Sequence, residues 1–208
     1  MKREHVTSPL LPSGYRQLEY LESTGTQYIE FPLNVPAYSY FEMDFEFIAK
    51  YQYVSNNNYG IFGSNNNNVL SNCYRPESTP TKIIYASNIS GVAASGGYAG
   101  YVSKWSRVIF STSGNKVWNK NSVGEIEYSE VNNNRPLTSA ISNFRLFGWY
   151  YSNNRYPIKI IRNKIIVGDN VVKDLYAALR LSDSKPGLYD IINNQFYTNA
   201  GTGEFLYN

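Results

Sequence analysis

Three acids at alternate positions, Glu42, Asp44 and Glu46, are the residues in this sequence best placed to do chemistry. They sit within residues 40–49, where Phe41, Met43, Phe45, Phe47 and Ala49 alternate with Glu42, Asp44, Glu46 and Ile48. Alternation of period two marks a strand with one face in a core, so the three carboxyl groups share the other face. A retaining cleavage of a glycosidic bond needs two carboxyl groups about 5–5.5 Å apart. Residues i and i+4 of a strand lie about 13 Å apart at Cα, so Glu42 and Glu46 meet only if the strand bulges or their side chains lean together. Otherwise these acids are the solvent face of an ordinary strand, and that is the expectation.

Other catalytic plans have less to draw on. A Ser–His–Asp or Cys–His site needs a positioned imidazole, and His5, the only histidine, lies near the N-terminus in a stretch without periodicity. Cys73 is the only cysteine, so neither an internal disulfide nor a cysteine-rich zinc set is available; it reads as a small, half-buried residue. Gly201-Thr202-Gly203 lacks the lysine of a phosphate loop and reads as a turn before a last strand. Asp169, Asp183 and Asp190 are scattered acids on which a loop Ca²⁺ site could draw; each reads as a turn residue, and no cofactor is expected. Binding is better provided for. In Trp149-Tyr150-Tyr151 the three rings cannot all face inward on one strand. An outward ring can stack on a sugar or anchor a protein interface. Trp105 is a further binding candidate, with Trp118, Tyr98 and Tyr101 behind it.

The chain that positions these residues is rich in aromatics, with 20 Tyr, 10 Phe and 3 Trp among 208 residues. Aromatic segments favour strands. They alternate with Asn-, Gly- and Ser-rich segments, which favour turns. Strands are expected at 17–21, 26–31, 40–49, 59–63, 82–86, 105–110, 116–119, 124–128, 144–151, 158–167, 171–175, 187–192 and 195–198. Gly168-Asp169-Asn170 and Asn193-Asn194 read as hairpin turns, and residues 174–181 carry the only helical hint. The expected fold class is all-β, an antiparallel sandwich in one domain over 12–208, behind an N-terminal arm over 1–11. In the arm Lys2, Arg3, Val6 and Leu10, with His5 and Leu11, offer charge and apolar grip for attachment, and Pro9 and Pro12 limit the freedom lost on ordering. A net charge of +3 without a dense basic face argues against a nucleic-acid partner. No stretch approaches the roughly 20 apolar residues of a membrane-spanning helix, and no apolar signal core stands at the N-terminus.

Two terminal segments carry a resemblance. The first is Leu11-Pro12-Ser13-Gly14-Tyr15-Arg16-Gln17-Leu18-Glu19-Tyr20-Leu21-Glu22-Ser23-Thr24-Gly25-Thr26-Gln27-Tyr28-Ile29. The second comprises Val172-Lys173-Asp174-Leu175-Tyr176-Ala177-Ala178, Gly187-Leu188-Tyr189-Asp190, Gln195-Phe196-Tyr197 and Gly201-Thr202-Gly203-Glu204-Phe205. Together they resemble concanavalin A-like (laminin-G-like) jelly-roll domains, which recur in virion proteins of tailed phages and prophages and in surface proteins of gut bacteria. The resemblance implies a sandwich whose first and last strands pair. It further implies a non-enzymatic structural or adhesive virion component: a head fibre, a capsid decoration or a tail-fibre piece. Such a protein is made in the host cytoplasm and resides in the phage particle. Its expected partners are capsid or tail proteins, further copies of itself and host-surface glycans. One alternative is a carbohydrate-binding lectin module. A second comes from Glu42-x-Asp44-x-Glu46, which resembles the active-site strand of laminarinase- and lichenase-type glycoside hydrolases. That resemblance implies Glu42 as nucleophile, Asp44 as its support and Glu46 as acid/base, although in those hydrolases the motif lies mid-domain rather than directly after the opening segment.

Overall fold

The computed structural model describes residues 11–49, 59–65, 69–74, 82–89, 92–93, 98–101, 104–120, 123–132, 136–148 and 157–208. Among them every regular element is a strand. The chain opens on β1 (Tyr15–Gln17) and β2 (Leu21–Glu22), crosses to a second sheet for β3 (Ile29–Val35) and returns for β4 (Phe41–Ala49). The second sheet then takes β5 (Tyr59–Ser64), β6 (Val69–Tyr74), β7 (Lys82–Ile89), β8 (Val92–Ala93) and β9 (Tyr98–Tyr101). The first sheet takes β10 (Trp105–Ser111), β11 (Gly114–Lys120) and β12 (Ile126–Asn132), the second takes β13 (Ile141–Leu146). The last five strands all return to the first: β14 (Ile158–Val167), β15 (Asn170–Arg180), β16 (Lys185–Asp190), β17 (Gln195–Thr198) and β18 (Leu206–Tyr207).

The larger sheet has 11 strands on the path β12-β11-β10-β4-β14-β15-β16-β17, with β1 on β15 and β2 joining β14 to β18. The smaller has 7, on the path β3-β13-β5-β6-β7-β8, with β9 on β7. Antiparallel sheets that exchange strands repeatedly over one core make a jelly roll, and the fold is the concanavalin A-like sandwich. Phe41, Met43, Phe45 and Phe47 of β4 are buried, as their alternation requires. Phe62 of the smaller sheet meets Phe45 and Phe110 edge-on, each at 5.8 Å between ring centroids, a geometry worth about 0.5–1.5 kcal/mol beyond the area it buries. Pro32, which has no N–H for a ladder, sits on β3 at the sheet's end, where prolines are tolerated.

The ends of the chain are stitched together. Strand β2 pairs with β18 and β1 with β15. Gln27 joins the loops beside them: its Oε1 accepts from Thr24 N–H at 2.8 Å, and its Nε2 donates to the Glu204 carbonyl at 2.9 Å. Thr26 donates to the Thr202 carbonyl at 3.0 Å.

Three expectations need correction. Residues 174–181 are not helical, since 174–180 form most of β15, which is buried from Lys173 to Leu179. A strand covered on both faces reads as a continuous apolar run, and periodicity cannot separate that from a buried helix. The aromatic strand expected at 144–151 begins at Ile141 and ends at Leu146, because Phe147 turns to a positive φ of 66°. The strand expected at 26–31 starts at Ile29, since Ser23 to Gln27 are spent on the corner just described.

Candidate functional site

The outward positions of the larger sheet bring together residues far apart in sequence. Arg107 of β10 lies directly opposite Glu46 of β4, and Arg162 of β14 lies opposite the same Glu46 on the other side. Beyond Arg107 the register continues through Trp118 of β11 to Tyr128 of β12. Beyond Arg162 it continues through Tyr176 of β15 and Tyr189 of β16 to Phe196 of β17. One row therefore runs at right angles to the strands: Tyr128, Trp118, Arg107, Glu46, Arg162, Tyr176, Tyr189, Phe196. At about 4.8 Å between strands it is about 34 Å long.

Arg162 reaches this face only through a bulge. Ile158 and Ile160 face the core, so plain alternation would send Arg162 inward after them. Ile161 is the extra residue opposite β4, since Ile160 pairs with Phe47 and Arg162 with Glu46. The bulge turns Arg162 and Lys164 outward and Asn163 and Ile165 inward, the kind of re-aiming for which bulges serve.

The two arginines are held rigidly. Arg107 donates through Nε and Nη2 to both oxygens of Asp44, at 2.8 and 2.5 Å. Arg162 does the same to Asp174, at 2.9 and 2.8 Å. These paired hydrogen bonds raise both guanidinium groups above their ordinary pKa, against the burial that would lower them. Each guanidinium also lies over a ring, Arg107 5.4 Å from the Trp118 centroid and Arg162 5.0 Å from that of Tyr176. Trp118 and Tyr128 are 5.1 Å apart at their centroids. The Tyr128 hydroxyl donates to Glu130 at 2.5 Å, and Lys116 lies 3.8 Å from the same carboxylate.

The two ends of the row differ in access. Tyr128 is 53% exposed and the Arg107 side chain 38%. Tyr176 and Tyr189 are buried. At that end Tyr15 packs 4.6 Å from Tyr189 and 5.2 Å from Phe196, and Arg180 lies 5.2 Å from the Phe196 ring. The accessible track runs from Tyr128 to Arg162, about 19 Å over four strand spacings.

Placed in this frame, Glu42, Asp44 and Glu46 do share one face, as expected. Their geometry does not provide two-carboxylate hydrolysis. Strand β4 stays in unbroken register with β10 from Glu42 to Ile48, so no bulge shortens the separation of about 13 Å between Glu42 and Glu46. Each acid has its own partner: Glu42 accepts from the Tyr40 hydroxyl at 2.5 Å, Asp44 from Arg107, and Glu46 from Trp105 Nε1 at 3.1 Å.

Of the expected binding residues, Trp105 joins this face, half-buried opposite Ile48 and bonded to Glu46. Trp149, Tyr150 and Tyr151 lie outside the described residues, as do Lys2, Arg3, His5, Val6 and Leu10. Asp169 is an exposed turn residue. Asp183 pairs with Arg180, whose hydrogen bonds hold its carboxyl below the usual range. Asp190 is buried against Lys173 at 3.0 Å. No group of three or more potential metal ligands forms among the described residues. Sequence reading missed Arg107, Arg162 and Tyr128. Arg107 could have been found two residues after Trp105 on the same strand face; Arg162 could not, because the bulge decides its side.

The sheet topology defines the class, a concanavalin A-like jelly roll. No family model matches the sequence, and no curated protein matches it. Solved structures similar to it include a SAP-like pentraxin from Limulus polyphemus, at 9% identity over 71% of this chain and 76% of that one, with a TM-score of 0.44. The LG1–3 region of the laminin α2 chain is 9% identical over 90% of this chain and 35% of its own, with a TM-score of 0.46. A peanut lectin bound to a peptide is 14% identical over 73% and 84%, with a TM-score of 0.31. The fold rests on the chain's own sheet topology rather than on these likenesses.

Proposed function

We propose that this chain is a non-catalytic binding module that meets its target with the outer face of its larger sheet. The observation that carries this is the cross-strand row itself. Its carboxylates are each tied to a separate partner, while Trp118, Tyr128 and the two arginines are fixed in place and open at one end. Rigid side chains lose little entropy on binding, which favours recognition by a preformed surface. Two-carboxylate glycoside hydrolysis on that face would need its carboxylates brought within reach of one another.

The setting we propose is a larger assembly that displays the module, with a tailed-phage particle as the assembly implied by the terminal signatures. Capsid or tail proteins would then be its fixed partners. The test is binding by the purified protein to a glycan array and to purified particles, for wild type and Tyr128→Ala. Tyr128 is exposed, so its loss should leave the thermal melt unchanged while reducing binding at least tenfold. Equal binding by both proteins would remove this face from the function. Release of reducing sugar from β-glucans that disappears in Glu46→Gln would overturn the non-catalytic reading.

A further inference from the structure

Resting on that reading of the face, we infer that its ligand is a neutral, linear glycan lying across the strands along the track from Tyr128 to Arg162. Four features of the track select this chemistry.

The first is charge. Both arginines are already matched, Arg107 by Asp44 and Arg162 by Asp174, and Lys116 stands beside Glu130. A polyanion gains little from cations whose charge is neutralised in place. The second is the order of donors and acceptors. Glu46 stands between the two guanidinium groups, so the track presents donor, acceptor and donor in succession. A hydroxyl group both donates and accepts, and can satisfy either kind. A phosphate or carboxylate only accepts, and would meet Glu46 as a like charge. Each guanidinium also has more N–H groups than the pair its aspartate takes, which leaves donors for a ligand's oxygens. The third is the platform. Trp118 and Tyr128 pack against each other at the open end, and Tyr128 is 53% exposed. Ring faces of this kind take the apolar side of a sugar.

The fourth is shape. The open part of the row is about 19 Å long, crosses five strands in register and is closed at its far end by Tyr15, which packs on Tyr189 and Phe196. That suits several consecutive sugar units rather than one terminal sugar.

The experiment is calorimetric titration of the full chain with neutral linear oligosaccharides of increasing length, namely cello-, malto-, xylo- and chito-oligosaccharides, and with polygalacturonate and heparin as acidic probes. Wild type should bind one neutral series, with affinity rising with length and then levelling once the track is filled, and with little dependence on salt. Tyr128→Ala should weaken that binding at least tenfold at unchanged melting temperature, and Arg107→Ala should weaken it as much while remaining folded, with a melt lowered by the loss of the pair with Asp44. Arg107→Lys should not restore it, because an ammonium cannot make the paired contact to Asp44. Failure of every neutral series, or tighter and salt-sensitive binding of an acidic probe, would overturn this inference. If Tyr128→Ala then still lost binding to particles or to another array ligand, the face would stand as the binding surface and only the ligand class would fall. If no binding depended on Tyr128 or Arg107, both readings would fall together.

Discussion

Removing the Asp190 carboxylate should cost far more stability than removing the lysine it faces. Asp190 is fully buried at the end of β16. Its Oδ1 accepts from the N–H groups of Asp174 and Ile192 at 3.3 and 3.1 Å. Its Oδ2 accepts from Asn193 Nδ2 at 2.7 Å and lies 3.0 Å from Lys173 Nζ. Lys173 is buried as well, and its ammonium also donates to the Tyr197 hydroxyl at 2.7 Å. The two truncations are therefore unequal. Lys173→Met leaves a carboxylate still held by three N–H groups and should cost about 1–3 kcal/mol. Asp190→Ala leaves a buried ammonium with one neutral hydroxyl and should cost about 3–5 kcal/mol. At about 2–4 °C per kcal/mol for a chain of this size, Asp190→Ala should melt roughly 6–20 °C below wild type. The double variant should be more stable than Asp190→Ala alone, because it removes the stranded charge. Urea and thermal melts of the four proteins measure the cycle. Additive losses, or a Lys173→Met as damaging as Asp190→Ala, would show that the ion pair does not organise this hairpin.

Two further predictions concern groups the core and the face hold under strain of solvation. Both amide atoms of Asn163 are buried among apolar residues without a hydrogen-bond partner among the described residues; Asn163→Leu, close in volume, should therefore raise stability by about 1–3 kcal/mol in a urea melt, and a loss of stability would mean that the amide is satisfied in solution. Burial and the Asp174 carboxylate push the Tyr176 phenol up to about 12. For Lys173, burial pulls the ammonium down, but hydrogen bonds to Tyr197 and Asp190 prevail and leave it raised. Groups raised in the folded state support it below their ordinary values, and that support is lost as pH climbs through the folded ones. Stability should hold to about pH 10 and fall between there and pH 12, with a shallower fall in Tyr176→Phe; an identical slope in that variant would refute the assignment.

What the sequence revealed depended on whether a segment settles its own geometry. Residues 40–49 alternate cleanly, and β4 follows them with Phe41, Met43, Phe45 and Phe47 inward. The β14–β15 hairpin was legible because Gly168 can take the positive φ of 58° that its turn requires. Asn194, at φ 51°, plays the same part between β16 and β17. β15 was misread because a run buried on both faces carries no period of its own, and its pairing with β14 and β16, not its pattern, fixes it as a strand. The binding face was least legible. Its residues come from β12, β11, β10, β4 and β14, and their alignment exists only in the register between strands. One single-residue bulge at Ile161 decides whether Arg162 joins it.

The terminal signatures speak for the fold and not for the ligand, for a physical reason. Gln27, Thr26 and Gly201 serve the corner where the ends of the chain meet, and Gly187 and Asp190 serve the β16–β17 hairpin beside it. A Cβ on Gly187 would collide with the Tyr197 carbonyl and the Phe196 ring, and one on Gly201 with the Thr26 carbonyl and the Tyr28 ring. Asp190 fixes the β16–β17 turn and Gln27 joins the opening loop to the closing one. Such residues are constrained by backbone approach and buried hydrogen bonds, so their types follow from the topology whatever the ligand. The outward row has the opposite character. Trp118, Arg107, Glu46 and Arg162 face away from the core, and the alternation of their strands with buried neighbours survives any polar substitution there. A protein with the same corner and a different row would fold alike and bind something else. The specificity of this chain is therefore to be sought across the middle strands of the larger sheet, where the sequence alone gives no register.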